Sequence, residues 1–136
     1  MKELIQILHT EGLTLVVKSE NGAISRYTQR GVKDLLTLVI DHREVLHHAM
    51  IADKAVGKAA AACMAKGGVG QVYADVMSEP ALALLQSQGI TASYGTLVHH
   101  IINRSGDDWC PMEKMSRDLD DIDAIIEGIE AFIGGR

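Results

Sequence analysis

Residues 51–70 read IADKAVGKAAAACMAKGGVG, and this stretch decides the fold. Six alanines lie between Ala55 and Ala65, and alanine is the strongest helix former. A helix whose faces are all small is usually buried between neighbouring elements. Asp53 follows an apolar run and is expected to cap the helix, and Gly67-Gly68 is expected to end it. The stretch therefore predicts a strand end, a buried helix and a glycine-rich exit.

Two lysines stand at the predicted start of this helix. Lys54 and Lys58 are four residues apart on one face, where the positive end of the helix dipole disfavours cations. A bound anion would explain them, and Gly57 between them would let it approach closely. Alternatively, both are solvated lysines whose stems lie on the core. A Walker phosphate loop is excluded, because Ala52 and Ala59 replace its first glycine and its Ser or Thr.

The composition predicts one domain, residues 1–136, with an aliphatic core. Hydrophobic residues make up 47% and aromatic residues 4% of the 136 residues. A net charge of −5 without a basic cluster disfavours nucleic-acid binding. The apolar runs are too short for a bilayer, and the start MKELIQILHTEG lacks the features of a signal peptide. With two cysteines, we expect a cytoplasmic protein that has free thiols and no membrane partner.

Turn residues and apolar periodicity divide the rest of the chain. The first half predicts a helix at 2–9, strands at 13–19 and 23–28, helical spacing from 32 to 39 and a strand at 46–52. Asn21-Gly22 predicts a hairpin between the first two strands. The second half predicts a strand at 71–77, a helix at 78–89, strands at 90–95 and 96–103 and a helix at 111–133. This order predicts an α/β fold with one mixed sheet and helices on both faces.

Three separated motifs carry a family resemblance. They are MIADKAVGKAAA at 50–61, VYADVMSEPAL at 72–82, and IINR at 101–104 followed by CPME at 110–113. Together they resemble a small bacterial family, a domain of unknown function with a cytidine deaminase-like fold. The resemblance covers nearly the whole chain and implies a three-layer deaminase-like architecture. It implies no reaction, because fold does not fix function.

The catalytic zinc motifs of true deaminases are missing. Those enzymes carry His or Cys and then Glu at one helix start, and Pro-Cys-x-x-Cys at the next. Here the two starts read Asp53-Lys54 and Ser78-Glu79-Pro80. The pairs His47-His48 and His99-His100 lie in predicted strands, where adjacent side chains point to opposite faces. We therefore expect no metal and no cofactor, and the usual zinc-dependent deamination is disfavoured.

The deaminase-like layout would place two helix starts side by side. One start would bring Asp53, Lys54, Gly57 and Lys58 to a pocket, and the other Ser78 and Glu79. Two helix N-termini and two lysines favour an anionic group such as phosphate. Plain helix capping is the alternative for Ser78 and Glu79. Arg104 is a further ligand-binding candidate, although it could equally pair with Asp107 or Asp108.

Cys110 is the candidate nucleophile. In WCPME it takes the N-cap position, with Pro111 at the first and Glu113 at the third helical position. A thiol at a helix N-terminus has more thiolate at neutral pH, whereas a packed cysteine beside Trp109 is the alternative. A Cys–His pair with His99 or His100 is conceivable, and Cys63 is expected in the core.

Three functions remain open from the sequence. The first is a zinc-free domain that binds a small anionic metabolite, nucleotide- or phosphosugar-like, through the candidate residues. The second is a thiol-dependent enzyme that uses Cys110 in the same pocket. The third is an oligomerising interaction module without a ligand, and a homodimer is compatible with all three.

Overall fold

The computed structural model describes residues 1–29, 32–102, 106 and 108–133, which contain seven helices and five strands. The helices are α1 (Lys2–Thr10), α2 (Lys33–Asp41), α3 (Arg43–Leu46), α4 (Lys58–Gly67), α5 (Glu79–Ser87), α6 (Pro111–Ser116) and α7 (Ile122–Ile133). The strands are β1 (Leu15–Lys18), β2 (Ile24–Tyr27), β3 (Met50–Val56), β4 (Gln71–Ser78) and β5 (Thr91–Val98).

The strands form one mixed sheet in the order β2-β1-β3-β4-β5. β1 pairs antiparallel with β2 and β3, and β3-β4-β5 run parallel. The predicted hairpin is confirmed: Asn21 Oδ1 accepts the Ala23 N–H at 3.0 Å, and Gly22 adopts a φ of 91°. The mixed sheet predicted from the sequence is likewise confirmed.

Helices cover both faces of this sheet. α1 places Leu4 and Leu8 against Val16 and Ala52 on one face. The larger core lies on the other face, where α4 contacts α2, α5, α6 and α7. The described helices are all too short or too polar to span a membrane.

The alanine-rich helix α4 is the centre of the larger core, as predicted. Every residue from Ala59 to Met64 is buried. Gly67 lies against Leu46, whose side chain would be only 2.6 Å from a Cβ at position 67. Gly68 then ends the helix with a φ of 79°, a left-handed conformation that glycine adopts without strain.

The start of α4 corrects the sequence prediction. Asp53 does not cap the helix, since Asp53 and Lys54 both lie within β3 and the N-cap is Gly57. β3 is held on both sides, by β1 through Leu15↔Asp53 and by β4 as far as Val56↔Met77. This double ladder of backbone hydrogen bonds outweighs the helix propensity of the sequence.

Two other boundaries are also corrected. Residues 90–95 and 96–103 do not form a hairpin, because β5 runs straight through Gly95. A Cβ at Gly95 would lie 2.9 Å from the Asp75 carbonyl oxygen, so the glycine permits a close strand contact rather than a turn. The predicted helix 111–133 is two helices, and Asp121 Oδ2 accepts the Ala124 N–H at 3.0 Å near the start of α7.

The histidine prediction is wrong for both pairs. His99 and His100 follow β5, which ends at Val98, and do not lie in a strand. His47 and His48 do not lie in a strand but in the turn between α3 and β3. His48 has a φ of 56°, and the two rings stack with centroids 3.9 Å apart. Both side chains therefore face the same region of solvent instead of opposite faces of a sheet.

Candidate functional site

A cavity of about 780 Å³ opens at the carboxyl end of β3. Its described walls come from the ends of β1 and β3 and from α2, α4, α6 and α7. They are mostly apolar, with Leu15, Val32, Ala55, Ala59, Ala60, Ile101, Ile102, Pro111, Met112 and Phe132. The other lining residues are Thr14, Gln29, Asp34, Asp53, Lys54, Gly57, Cys110 and Glu113. A large apolar cavity with a few polar groups is the usual form of a small-molecule site.

Asp53 is the most perturbed group in this cavity. Its side chain is buried, and its Oδ1 accepts the Ala55 N–H at 3.3 Å. Burial raises the pKa of Asp53 to about 7, because desolvation outweighs the backbone hydrogen bonds from Ala55 and Lys54, and the charge of Asp75 adds to the rise. Asp53 therefore exchanges a proton near neutral pH, and a second cavity carboxyl, Asp34, also has its pKa raised by burial.

Lys54 and Lys58 do not share a helix face, which corrects the two-lysine prediction. Lys54 is exposed at the end of β3 and lines the cavity. Lys58 is buried, and its Nζ lies 3.4 Å from the Arg117 carbonyl oxygen and 3.8 Å from Asp120 Oδ1. Its side chain lines a separate depression beside α5. Among the described residues, Lys54 is therefore the one cation that lines the cavity.

Glu113 occupies the start of α4, where the sequence predicted a bound anion. Its Oε1 accepts the Lys58 N–H and its Oε2 accepts the Ile101 N–H, both at 2.8 Å. A Cβ at Gly57 would lie 2.8 Å from Glu113 Oε1. Gly57 thus permits the close approach of an anionic group, as expected, but that group is a carboxylate of the same chain.

Glu113 is a cavity residue that the sequence did not predict as part of the site. The sequence correctly predicts that Glu113 lies in the first turn of α6, where a glutamate usually caps its own helix. Its actual partner is an N–H 55 residues earlier in the chain. The available signal was Gly57, which indicated a close contact without identifying the group.

Cys110 lies in the cavity wall. As predicted, it is the N-cap of α6 and is followed by Pro111. Its side chain is half-buried and makes no cap hydrogen bond, and its N–H donates to the Ile101 carbonyl at 2.7 Å. Cys63 is buried in α4, which confirms the core prediction, and burial raises the pKa of its thiol to about 12.

The proposed histidine partners of Cys110 have contacts elsewhere. His99 Nδ1 lies 3.2 Å from Glu79 Oε2, and the ring of His100 stacks on Trp109 with centroids 4.0 Å apart. The Cys–His pair stays a prediction. The carboxyl groups of Asp53 and Asp34 line the same cavity as Cys110 and are the alternative bases.

Ser78 and Glu79 belong to the start of α5, outside the lining of the cavity. Ser78 Oγ accepts the Ala81 N–H at 3.2 Å, so the capping alternative is confirmed for this serine. The pairing Val56↔Met77 does place the starts of α4 and α5 at the same edge of the sheet. Ligand contacts of Ser78, Glu79 and Lys58 stay predictions, and Arg104 lies outside the described residues.

The fold and cavity of the described residues define an α/β domain with a candidate small-molecule site. Residues 3–133 match the model of the DUF1893 domain of unknown function, TM1506, and the chain belongs to this family. It is similar to the crystal structure of a DUF1893 family protein, TM1506 from Thermotoga maritima, with a TM-score of 0.87 and 28% identity. The match covers 96% of this chain and 88% of that chain. No curated protein matches the chain significantly.

Proposed function

We propose that this domain binds a small molecule in the cavity at the carboxyl end of β3. The ligand has a flat, largely apolar body with a hydrogen-bonding edge, and it carries an anionic group, as a nucleotide does. Asp53 contacts the edge and Lys54 contacts the anion. The observation that carries this proposal is Asp53, a buried carboxyl whose pKa is about 7 in a mainly apolar cavity of about 780 Å³.

A buried Asp53 suits a heterocyclic edge better than it suits a cation. Protonated, the carboxyl group offers one O–H donor and one carbonyl acceptor. A ring nitrogen beside an exocyclic amine or carbonyl presents the complementary pair of groups. Ionised Asp53 would instead need a positive partner to offset its desolvation. Its raised pKa therefore favours recognition of a neutral polar edge.

The anionic part of the ligand is assigned to Lys54. Lys54 is exposed and lines the cavity. The start of α4 is unavailable to the ligand because Glu113 already accepts the Lys58 N–H. The sequence predicted that two helix N-termini would bind the anion. We assign the anion to Lys54 instead.

We infer a cytidine deaminase-like fold from the same geometry. The order β2-β1-β3-β4-β5, with β1 antiparallel and two helices following parallel strands, supports this assignment. The catalytic zinc of deaminases does not fit the residues present. Zinc needs His or Cys donors, and the helix starts carry Gly57-Lys58 and Ser78-Glu79 instead. The remaining carboxylate, Glu113, is held by two backbone N–H groups.

A thiol-dependent reaction is the second candidate, because Cys110 lines the same cavity. Its thiol would add to a carbonyl carbon of the ligand, so that the C–S bond forms as the C=O π bond opens to an alkoxide, and a cavity carboxylate would take the thiol proton. Iodoacetamide, with buried Cys63 as the internal control, should abolish turnover by labelling Cys110 only under the thiol proposal. Under the binding proposal, Cys110→Ser keeps ligand affinity and no turnover exists to be lost. Under the thiol proposal, Cys110→Ser abolishes turnover of the bound molecule.

A thermal-shift screen against nucleosides, nucleotides, phosphosugars and inorganic phosphate tests the binding proposal. A ligand at 100 times its Kd adds about 2.7 kcal/mol to the free energy of unfolding, which raises Tm by several degrees. We expect the phosphorylated form of one heterocyclic class to shift Tm most. Asp53→Asn should weaken the whole class.

Lys54→Ala should remove the preference for the phosphorylated form, a loss of about tenfold or more in affinity. Lys2→Ala is the matched control, because Lys2 is an exposed lysine on α1, on the other face of the sheet. The proposal fails if no class shifts Tm, or if Lys54→Ala and Lys2→Ala behave alike.

A further inference from the structure

A second cluster of chemically active side chains lies at the opposite, amino end of β3. It consists of Glu20, His47 and His48, which we call the histidine cluster. His48 Nδ1 lies 2.7 Å from Glu20 Oε2, and the two imidazole rings stack with centroids 3.9 Å apart at 26°. One ligand atom from each of the three residues lies within 4.8 Å of the others. All three side chains are exposed.

The backbone brings these residues together from distant parts of the chain. His48 takes a φ of 56°, and its N–H donates to the Gly68 carbonyl at 2.8 Å. Gly68 lies so close to His47 that a Cβ there would be 3.2 Å from His47 Nδ1. Ser19 Oγ donates to the Val45 carbonyl at 3.0 Å, which ties the turn that carries Glu20 to α3. The cluster is therefore positioned by the fold and not by sequence adjacency alone.

The donor set is two imidazoles and one carboxylate. Imidazole suits zinc, copper and nickel, and three protein ligands plus water is the arrangement of an open zinc site. The net charge of −5 adds a weak general attraction for cations.

We propose that Glu20, His47 and His48 form a binding site for a divalent transition-metal ion such as Zn²⁺, with water as the fourth ligand. Ligand distances of about 2.0–2.2 Å require the donor atoms to come within about 3.3 Å of one another. Since the three side chains are exposed, small rotations achieve this without disturbing the core. The site is separate from the cavity, because it lies at the other end of β3.

Isothermal titration with Zn²⁺ tests the proposal on the full chain and on Cys110→Ser, which removes the half-buried cavity thiol as a competing ligand. We expect one ion per chain in both proteins. His47→Ala, His48→Asn and Glu20→Gln should each weaken binding by at least the roughly 10–100-fold that loss of an outer-shell partner causes. Asn is chosen at position 48 because it tolerates a positive φ.

His99→Ala is the matched control. His99 is an exposed histidine paired with a glutamate, Glu79, at 3.2 Å, and the described residues provide no third ligand for that pair. It should bind Zn²⁺ like the unmutated chain. The proposal is overturned if the unmutated chain does not bind Zn²⁺, if the cluster variants bind it unchanged, or if His99→Ala weakens it equally. Circular dichroism should show the same fold in every variant, since all the substituted side chains in the cluster are exposed.

Discussion

The two ends of β3 present opposite kinds of candidate site. At the carboxyl end, Asp53 and Glu113 are buried beside an apolar cavity, 8% and 4% exposed. At the amino end, His48 and Glu20 are 61% and 63% exposed. The chemistry of Asp53 and Glu113 depends on their burial, whereas that of His48 and Glu20 depends on how close their side chains lie to each other. Sites of the first kind recognise molecules through shape and protonation, and sites of the second kind recognise ions through donor geometry.

A glycine permits the key contact at each end. Gly57 leaves room for the Glu113 carboxylate, and Gly68 leaves room for the imidazole of His47. Since Gly57 precedes α4 and Gly68 follows it, the two ends of one helix support the two sites. The difference in burial predicts that substitutions at the carboxyl end change the free energy of unfolding and that those at the amino end do not.

Asp53→Asn should have the largest effect on the free energy of unfolding. The folded-state pKa of Asp53 is about 7, raised from an ordinary 3.8, so the folded state binds the proton more tightly than the unfolded state. Between these two values, stability of the unmutated chain falls as pH rises, because the folded state must then hold a desolvated charge. Asp53→Asn should remove this loss and be about 2–4 kcal/mol more stable at pH 8. Urea unfolding at several pH values measures the difference.

At pH 4 the unmutated chain and Asp53→Asn should approach equal stability. Asp75→Asn is a comparison variant: the charge of Asp75 is the smallest contribution to the raised pKa of Asp53, so the fall in stability with rising pH should persist in it. Equal profiles of stability against pH for Asp53→Asn and the unmutated chain would show that burial does not raise the pKa of Asp53. The two ends of β3 would then differ less than we infer.

Glu113→Ala should be the next largest effect, a destabilisation of about 3 kcal/mol. The substitution leaves the buried N–H of Lys58 and the partly buried N–H of Ile101 without their acceptor. Glu127→Ala is the control, since Glu127 is an exposed glutamate on α7 and should change stability by less than about 0.5 kcal/mol. Equal midpoints of urea unfolding for these two variants would contradict a structural role for Glu113.

Gly57→Ala should cost about 2 kcal/mol, no more than Glu113→Ala. The added Cβ displaces the Glu113 carboxylate, which is the far end of a flexible side chain and can move away. In a Glu113→Ala background, Gly57→Ala should therefore cost much less, and a double-mutant cycle measures this coupling. Gly70→Ala is the control because a Cβ there meets only ordinary contacts at 3.6 Å or more. Additive effects in the cycle would refute the contact.

His47→Ala should have the smallest effect on the free energy of unfolding. An exposed imidazole contributes little to the core, so the free energy of unfolding should change by less than about 0.5 kcal/mol in metal-free buffer. With Zn²⁺ present, the unmutated chain should gain stability and His47→Ala should not. A loss of several kcal/mol without metal would show that the amino end of β3 is structural, like the carboxyl end.

Much of the fold was predictable from local chemistry. Asn21-Gly22, the alanines of α4 and the Ser78 cap each specify their element through short-range effects. The incorrect predictions concern residues whose conformation is determined by a strand or helix that is distant in sequence. The pairing of Asp53 with Leu15 keeps it in a strand, and the backbone of Asp75 keeps Gly95 from a turn.

The site was predictable in part. Asp53, Lys54, Gly57 and Cys110 do line one cavity, although Asp53 and Lys54 reach it from a strand and not from a helix. The contact of Glu113 with Lys58 could not be predicted, because it joins two helix starts that are distant in sequence. The histidine cluster was missed because His47 and His48 were assigned to a strand.

The protonation of Asp53 is the claim on which the role of the cavity depends most directly. It can be measured by following the Asp53 side-chain carboxyl carbon by ¹³C NMR as the pH is changed. The structure predicts a midpoint of about 7, because burial raises the pKa of this carboxyl. A midpoint near 3.8, the ordinary value, would contradict the account, since Asp53 would then be a solvated carboxylate.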